Sequence, residues 1–142
     1  MSPGLADFAG RWRLTRRIED RAAGTVATFA GRADFTPDGA GLRYDEWGTL
    51  SMPGRAPMRA ERRYLWRADP QGIAVLFADG RPFHVFDPAG AATARHPCDP
   101  DIYDVRYDFA AWPAWQAVWH VTGPRKDYTL TSLYRPAESA VD

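Results

Sequence analysis

Residues 103–109 read Tyr-Asp-Val-Arg-Tyr-Asp-Phe: every second side chain is large and apolar or aromatic, and every one between is charged. Strict alternation of this kind puts one set of side chains on each face of an extended strand and fits no helical spacing. The pattern recurs along the chain. Trp12, Leu14, Arg16 and Ile18 share one face of a first strand opened by Gly10-Arg11. Thr25–Phe35 forms a second, and Leu42–Leu50 a third with Leu42, Tyr44 and Glu46 together. In a fourth, Met58, Ala60, Arg62, Tyr64 and Trp66 alternate with an arginine-rich outer set. Ile73–Phe77, Pro82–Phe86 and Thr93–Cys98 are shorter runs, the last carrying His96. Trp115, Ala117, Trp119 and Val121 alternate with Gln116, Val118 and His120, and Tyr128–Tyr134 closes the series.

Turn signals separate these runs: Pro37-Asp38-Gly39, Met52-Pro53-Gly54, Asp69-Pro70-Gln71-Gly72, Asp79-Gly80, Asp87-Pro88-Ala89-Gly90 and Gly123-Pro124. Short strands at this spacing, with no long helix, predict an all-β antiparallel up-and-down barrel of eight to ten strands. Closure would remove its edges. Ser2-Pro3 is read as the cap and first residue of a short N-terminal helical turn with Leu5 and Phe8 inward. At 142 residues the chain is read as one barrel domain over 1–136 with a polar tail at 137–142.

Eighteen basic residues balance eighteen acidic ones, so a mode of nucleic-acid binding that needs a large cationic excess is not expected. Seventeen of the eighteen are arginine; Lys126 is the only lysine. The lone Cys98 has no intramolecular disulfide partner, no signal-peptide pattern opens the sequence, and no apolar run spans a bilayer. The expectation is a cytoplasmic protein with no membrane or nucleic-acid partner and no cofactor; its oligomeric state is open.

The helical turn followed by Gly10-Arg11-Trp12 resembles the lipocalin and wider calycin pattern, in which the tryptophan packs across the closed end of the barrel and a late arginine lies over it. Arg135 is the matching arginine. More specifically, the chain resembles an uncharacterised domain-of-unknown-function family (six-three-one-four) of small calycin-like proteins. That resemblance rests on Phe8-Ala9-Gly10 with Trp12, Asp79–His84, His96-Pro97-Cys98 with Asp101 and Tyr103, and Gly123–Tyr128. It implies the barrel and brings no activity. The lipocalin comparison implies binding of a small molecule, by analogy of fold.

If the apolar positions mark the inside, the same faces carry inward Arg16, Tyr44, Glu46, Arg62, Tyr64, His84, His96, Tyr103 and Tyr107. Buried charges need partners, water or a ligand. One reading is a cavity binding a small, anionic or aromatic, organic molecule. Tyr44, Glu46, Arg62, Tyr64, His84, His96, Tyr103 and Tyr107 line it, while Arg125, Lys126 and Tyr128 stand at an entrance shared with the Asp79-Gly80-Arg81 hairpin. The structural alternative is a set of internal ion pairs, Glu46 with Arg62 for example. Two other functions stay open: a cofactor-independent isomerase, cyclase or hydrolase using a cavity histidine as general base, and an interaction module with a filled barrel. His96 and Cys98 share a strand face but do not match a metal-binding spacing, so no metal is assigned. His120, opposite Trp119, is placed on the surface.

Overall fold

The computed structural model describes residues 2–90 and 92–137; Met1, Ala91 and most of the predicted tail (138–142) lie outside the described residues. Ten antiparallel strands follow one 3-10 turn, η1 (Leu5–Phe8). They are β1 (Gly10–Asp20), β2 (Thr25–Asp38), β3 (Gly41–Ser51), β4 (Met58–Asp69), β5 (Gly72–Phe77), β6 (Pro82–Phe86), β7 (Thr93–Cys98), β8 (Asp101–Asp108), β9 (Trp115–Thr122) and β10 (Asp127–Pro136). Each pairs with its neighbours in sequence, and β1 also pairs with β10, giving one sheet in the order β6-β5-β4-β3-β2-β1-β10-β9-β8-β7. The sheet curls into a barrel whose tenth junction, between β6 and β7, has no backbone ladder. The expected closure is thus incomplete. Side chains hold that junction instead: Phe83 of β6 packs edge-on against His96 of β7, with ring centroids 5.2 Å apart. Both strands are short and each carries a proline, Pro82 and Pro97, a residue tolerated at sheet edges because no ladder N–H is required there.

Alternation sets the inside. Trp12 and Leu14 of β1, Phe29, Ala33 and Phe35 of β2, Leu42, Tyr44 and Glu46 of β3, and Trp115, Ala117 and Val121 of β9 are buried. The turns β1–β2, β3–β4, β5–β6, β7–β8 and β9–β10 lie at one end of the barrel, since the strands run alternately up and down. At the other end η1 acts as a plug. Its Phe8 is fully buried and touches Phe35, Trp66, Phe109, Trp112 and Trp115, all at centroid distances of 5.1–5.8 Å. Trp12 donates its indole N–H to the Phe8 carbonyl at 2.8 Å, tying strand to plug. Gly4, not Ser2, caps the turn: its N–H donates to the Asp7 carboxylate at 2.8 Å. Arg135 is exposed and lies in register with Arg13, on the outer face, so it does not cover Trp12.

Candidate functional site

The polar interior residues lie above the aromatic plug, about midway along the barrel. Arg16 of β1 makes a bidentate ion pair with Glu46 of β3, Nη1 to Oε2 at 2.7 Å and Nη2 to Oε1 at 2.9 Å. The side chains are 8% and 3% exposed. Arg16 also donates Nε–H to Ser132 Oγ of β10 at 2.7 Å and lies over the Phe29 ring. Tyr44 donates its hydroxyl proton to Glu46 Oε1 at 2.6 Å and so accepts from the Tyr134 hydroxyl at 2.7 Å. Burial alone would raise the Glu46 carboxyl; the Arg16 guanidinium and the Tyr44 hydroxyl outweigh it and hold the group below its ordinary range. Burial drives the Tyr134 phenol up to about 12 and Tyr44 well above its usual value.

The expected pairing of Glu46 with Arg62 is not what forms. The two are opposite one another in the β3–β4 register, yet Glu46 turns to Arg16, two strands away. The intervening strand β2 presents Gly31 and Ala33 on its inner face, and these are too small to block the reach. Arg62 stands exposed beside the Tyr64 phenol and has no ion-pair partner among the described residues.

Arg16, Tyr44, Glu46, Arg62, Tyr64, Trp66, Val75, Tyr107, Trp115, Ala117, Trp119, Ser132 and Tyr134 enclose one cavity. Its volume is about 20 Å³, room for about one water, or about 420 Å³ when the space open to solvent is included. The barrel is therefore filled at the plug and narrow above it. Of the candidate residues, Tyr44, Glu46, Arg62, Tyr64 and Tyr107 meet here. Arg16, Ser132 and Tyr134 are central to the network without having been among the candidate ligand contacts. Arg16's inward parity was the available signal for it. Ser132 and Tyr134 sit on β10, where weak alternation hides the inner face.

His84, His96 and Tyr103 gather around a different centre. A register shift between Val75 and Leu76 on β5 lets consecutive residues of β6, Phe83 and His84, both be buried. Phe83 then packs on His84, His96, Tyr103 and Trp119 at 4.4–5.5 Å. His84 Nε2 is 2.8 Å from the Tyr107 hydroxyl, and its Nδ1 is buried with no partner. Burial, with a smaller contribution from His96, pushes the imidazole down to about 3. Cys98, which shares a strand face with His96, is exposed at the end of β7 and does not follow His96 into the interior. Among the described residues no three metal-binding side chains converge.

The turn residues are largely paired with one another. Lys126 bridges to the half-buried Asp101 at 2.8 Å and Arg81 to Asp79 at 2.7 Å, the latter an exposed pair, and Arg125 points to solvent. These two turns do share the barrel end opposite the plug, as the entrance required. Tyr128 lies across β9 from Tyr103 near the same end. His120 is on the outer face, 3.1 Å from Asp127, which Arg21 and His120 together hold down to about 2.

A ten-stranded antiparallel barrel, plugged by a short N-terminal turn and carrying a polar network inside, is lipocalin-like. The chain belongs to a family of unknown function (DUF6314), whose model matches residues 8–136. A solved structure of similar fold is the S-type phycobiliprotein lyase CPES from Guillardia theta, with a TM-score of 0.64 and 12% sequence identity over 98% of this chain and 94% of that one. At that identity the likeness is one of fold. No curated protein matches the sequence.

Proposed function

We propose that the protein binds a small aromatic acid, with its anionic group on Arg62 and its ring against Tyr64 and Trp119. The observation that carries this is the charge balance of the cavity. Glu46 is consumed by its bidentate pair with Arg16, so the lining holds one cation in excess, and that cation is Arg62 at the mouth. A guanidinium beside a phenol at the edge of an aromatic-lined cavity suits a planar carboxylate, which it can grip through two parallel hydrogen bonds. The ligand is small, since the present cavity must widen by movement of the exposed Arg62 and the half-buried Trp119. The lipocalin-like fold, shared with a phycobiliprotein lyase, supports small-molecule binding in general and says nothing of this ligand. Exposed arginines on the outer face, such as Arg13, Arg17 and Arg32, suit an aqueous compartment, and a cytoplasmic location is part of the proposal.

The enzyme alternative is less well served. A histidine held near 3 is a weak base at neutral pH, and His84 does not line the cavity.

Thermal shift and calorimetry with benzoate and benzamide test the proposal. Benzoate should stabilise the protein and benzamide should not, because a ligand specific to the folded state raises apparent stability. Arg62→Gln should abolish the difference between the two. Equal responses to acid and amide, or a benzoate response untouched by Arg62→Gln, would refute it.

A further inference from the structure

Two buried polar groups in the cavity wall are not accounted for by the Arg16–Glu46 network. Trp115 is 2% exposed and lines the cavity, and its Nε1 has no hydrogen-bond partner among the described residues. An indole N–H can only donate, so this group calls for an acceptor. Tyr107, on the neighbouring strand, lines the same cavity with its ring 6.3 Å from that of Trp115. The role of its hydroxyl depends on His84.

His84 is neutral at physiological pH and carries one proton on two nitrogens. On Nδ1 the proton would be a buried donor with no partner. On Nε2 it donates to the Tyr107 oxygen at 2.8 Å and only a lone pair is stranded. Orphaned buried N–H groups are the rarer and costlier of the two. With Nε2 protonated, the Tyr107 oxygen accepts from His84, and the phenol's own proton is free to point into the cavity.

We propose that the floor of the cavity is an oxygen-acceptor subsite, in which Trp115 Nε1–H and Tyr107 Oη–H donate to one carbonyl oxygen and His84 is the positioning residue that keeps Tyr107 a donor. Together with Arg62 at the mouth, this narrows the ligand to an aromatic acid carrying a second, uncharged acceptor; only the anionic end rests on the preceding proposal.

Nitrogen-15 NMR of the unliganded wild-type protein reads the tautomer directly. Protonated Nε2 and bare Nδ1 on His84 are expected, and the opposite tautomer overturns the proposal whatever binds. The second arm is titration with 4-acetylbenzoate and 4-ethylbenzoate, alike in ring and charge but differing in the acceptor. Tyr107→Phe should weaken the acetyl compound about tenfold and the ethyl compound less than twofold. Equal losses, or none, overturn it. If neither compound binds the wild type, the aromatic-acid reading of Arg62 fails, while the His84 tautomer still decides the donor arrangement.

Discussion

Glu46 shows how much a single buried carboxylate can organise. Its two oxygens accept three hydrogen bonds from Arg16 and Tyr44. Replacing it by glutamine leaves the Arg16 guanidinium buried without a counter-charge, and breaking a buried pair in this way costs about 3–5 kcal/mol. Urea unfolding of Glu46→Gln should show a loss of that order, and the double variant Arg16→Met/Glu46→Gln should recover much of it. A double variant no more stable than the single would mean that the pair does not act as a unit. His84 contributes in a different way. Its folded-state value of about 3 lies below the ordinary 6.5, so the unfolded chain binds the proton more readily. Stability is then full above pH 6.5 and falls as pH drops toward 3, with a slope of up to about 1.4 kcal/mol per pH unit. The titratable groups facing His84 are Tyr107 and His96; the phenol does not ionise in that range, and comparison with His84→Phe separates the His84 contribution from that of His96. Denaturant midpoints between pH 7 and 5 should fall in the wild type and fall less in His84→Phe; parallel curves would contradict the assignment.

At the scale of strands, the interior network depends on a bare patch in β2. Gly31 faces Gly48 of β3, and a Cβ on Gly31 would collide with the Trp47 carbonyl and approach the Gly48 Cα to 2.6 Å. Backbone atoms cannot yield as a flexible side chain can, so Gly31→Ala should destabilise by about 1–3 kcal/mol. It should also disturb the reach of Arg16 across β2, seen as a shift in the Arg16 Nε–H resonance. Wild-type stability with an unmoved resonance would refute both roles. Much at this scale was legible in the residues alone. Tyr103 to Asp108 and Trp115 to Thr122 alternate so regularly that their strands and inner faces follow at once. β2 runs past the anticipated Phe35 to Asp38 because Pro37 pairs with Leu42 at the end of the hairpin rather than breaking the strand. Glu46 and Arg62 stand opposite each other in the ladder, yet the ion pair expected between them does not form, because register reports neighbours and not partners. Inside a barrel a long side chain can pass over small residues to a strand beyond, and the choice of Arg16 is decided by the absence of bulk at Gly31 and Ala33. The burial of adjacent Phe83 and His84 was likewise hidden, because a register shift breaks period two without any signal in composition.

On the scale of the whole molecule, nine strand junctions are laddered and one is not. Pro82 and Pro97 stand on the two edges, whereas adjacent hairpins alone suggested a closed ring. Amide hydrogen exchange should find the β6 and β7 amides that face the junction among the fastest strand amides, with β1, β2 and β10 among the slowest. Uniform protection around the barrel would mean that the junction is as firm as the rest. Phe83→Ala should quicken exchange in β6 and β7 before it does so elsewhere.

A ring cut at one point behaves like a split bushing. Its girth can grow by parting Phe83 from His96 without breaking any of the nine ladders. Had the tenth ladder formed, widening the bore for a guest would have required breaking a row of backbone hydrogen bonds in concert. With the cut in place, side-chain contacts rather than a backbone ladder limit the bore, and the tightness of the resting barrel is no bar to admitting something larger than a water molecule.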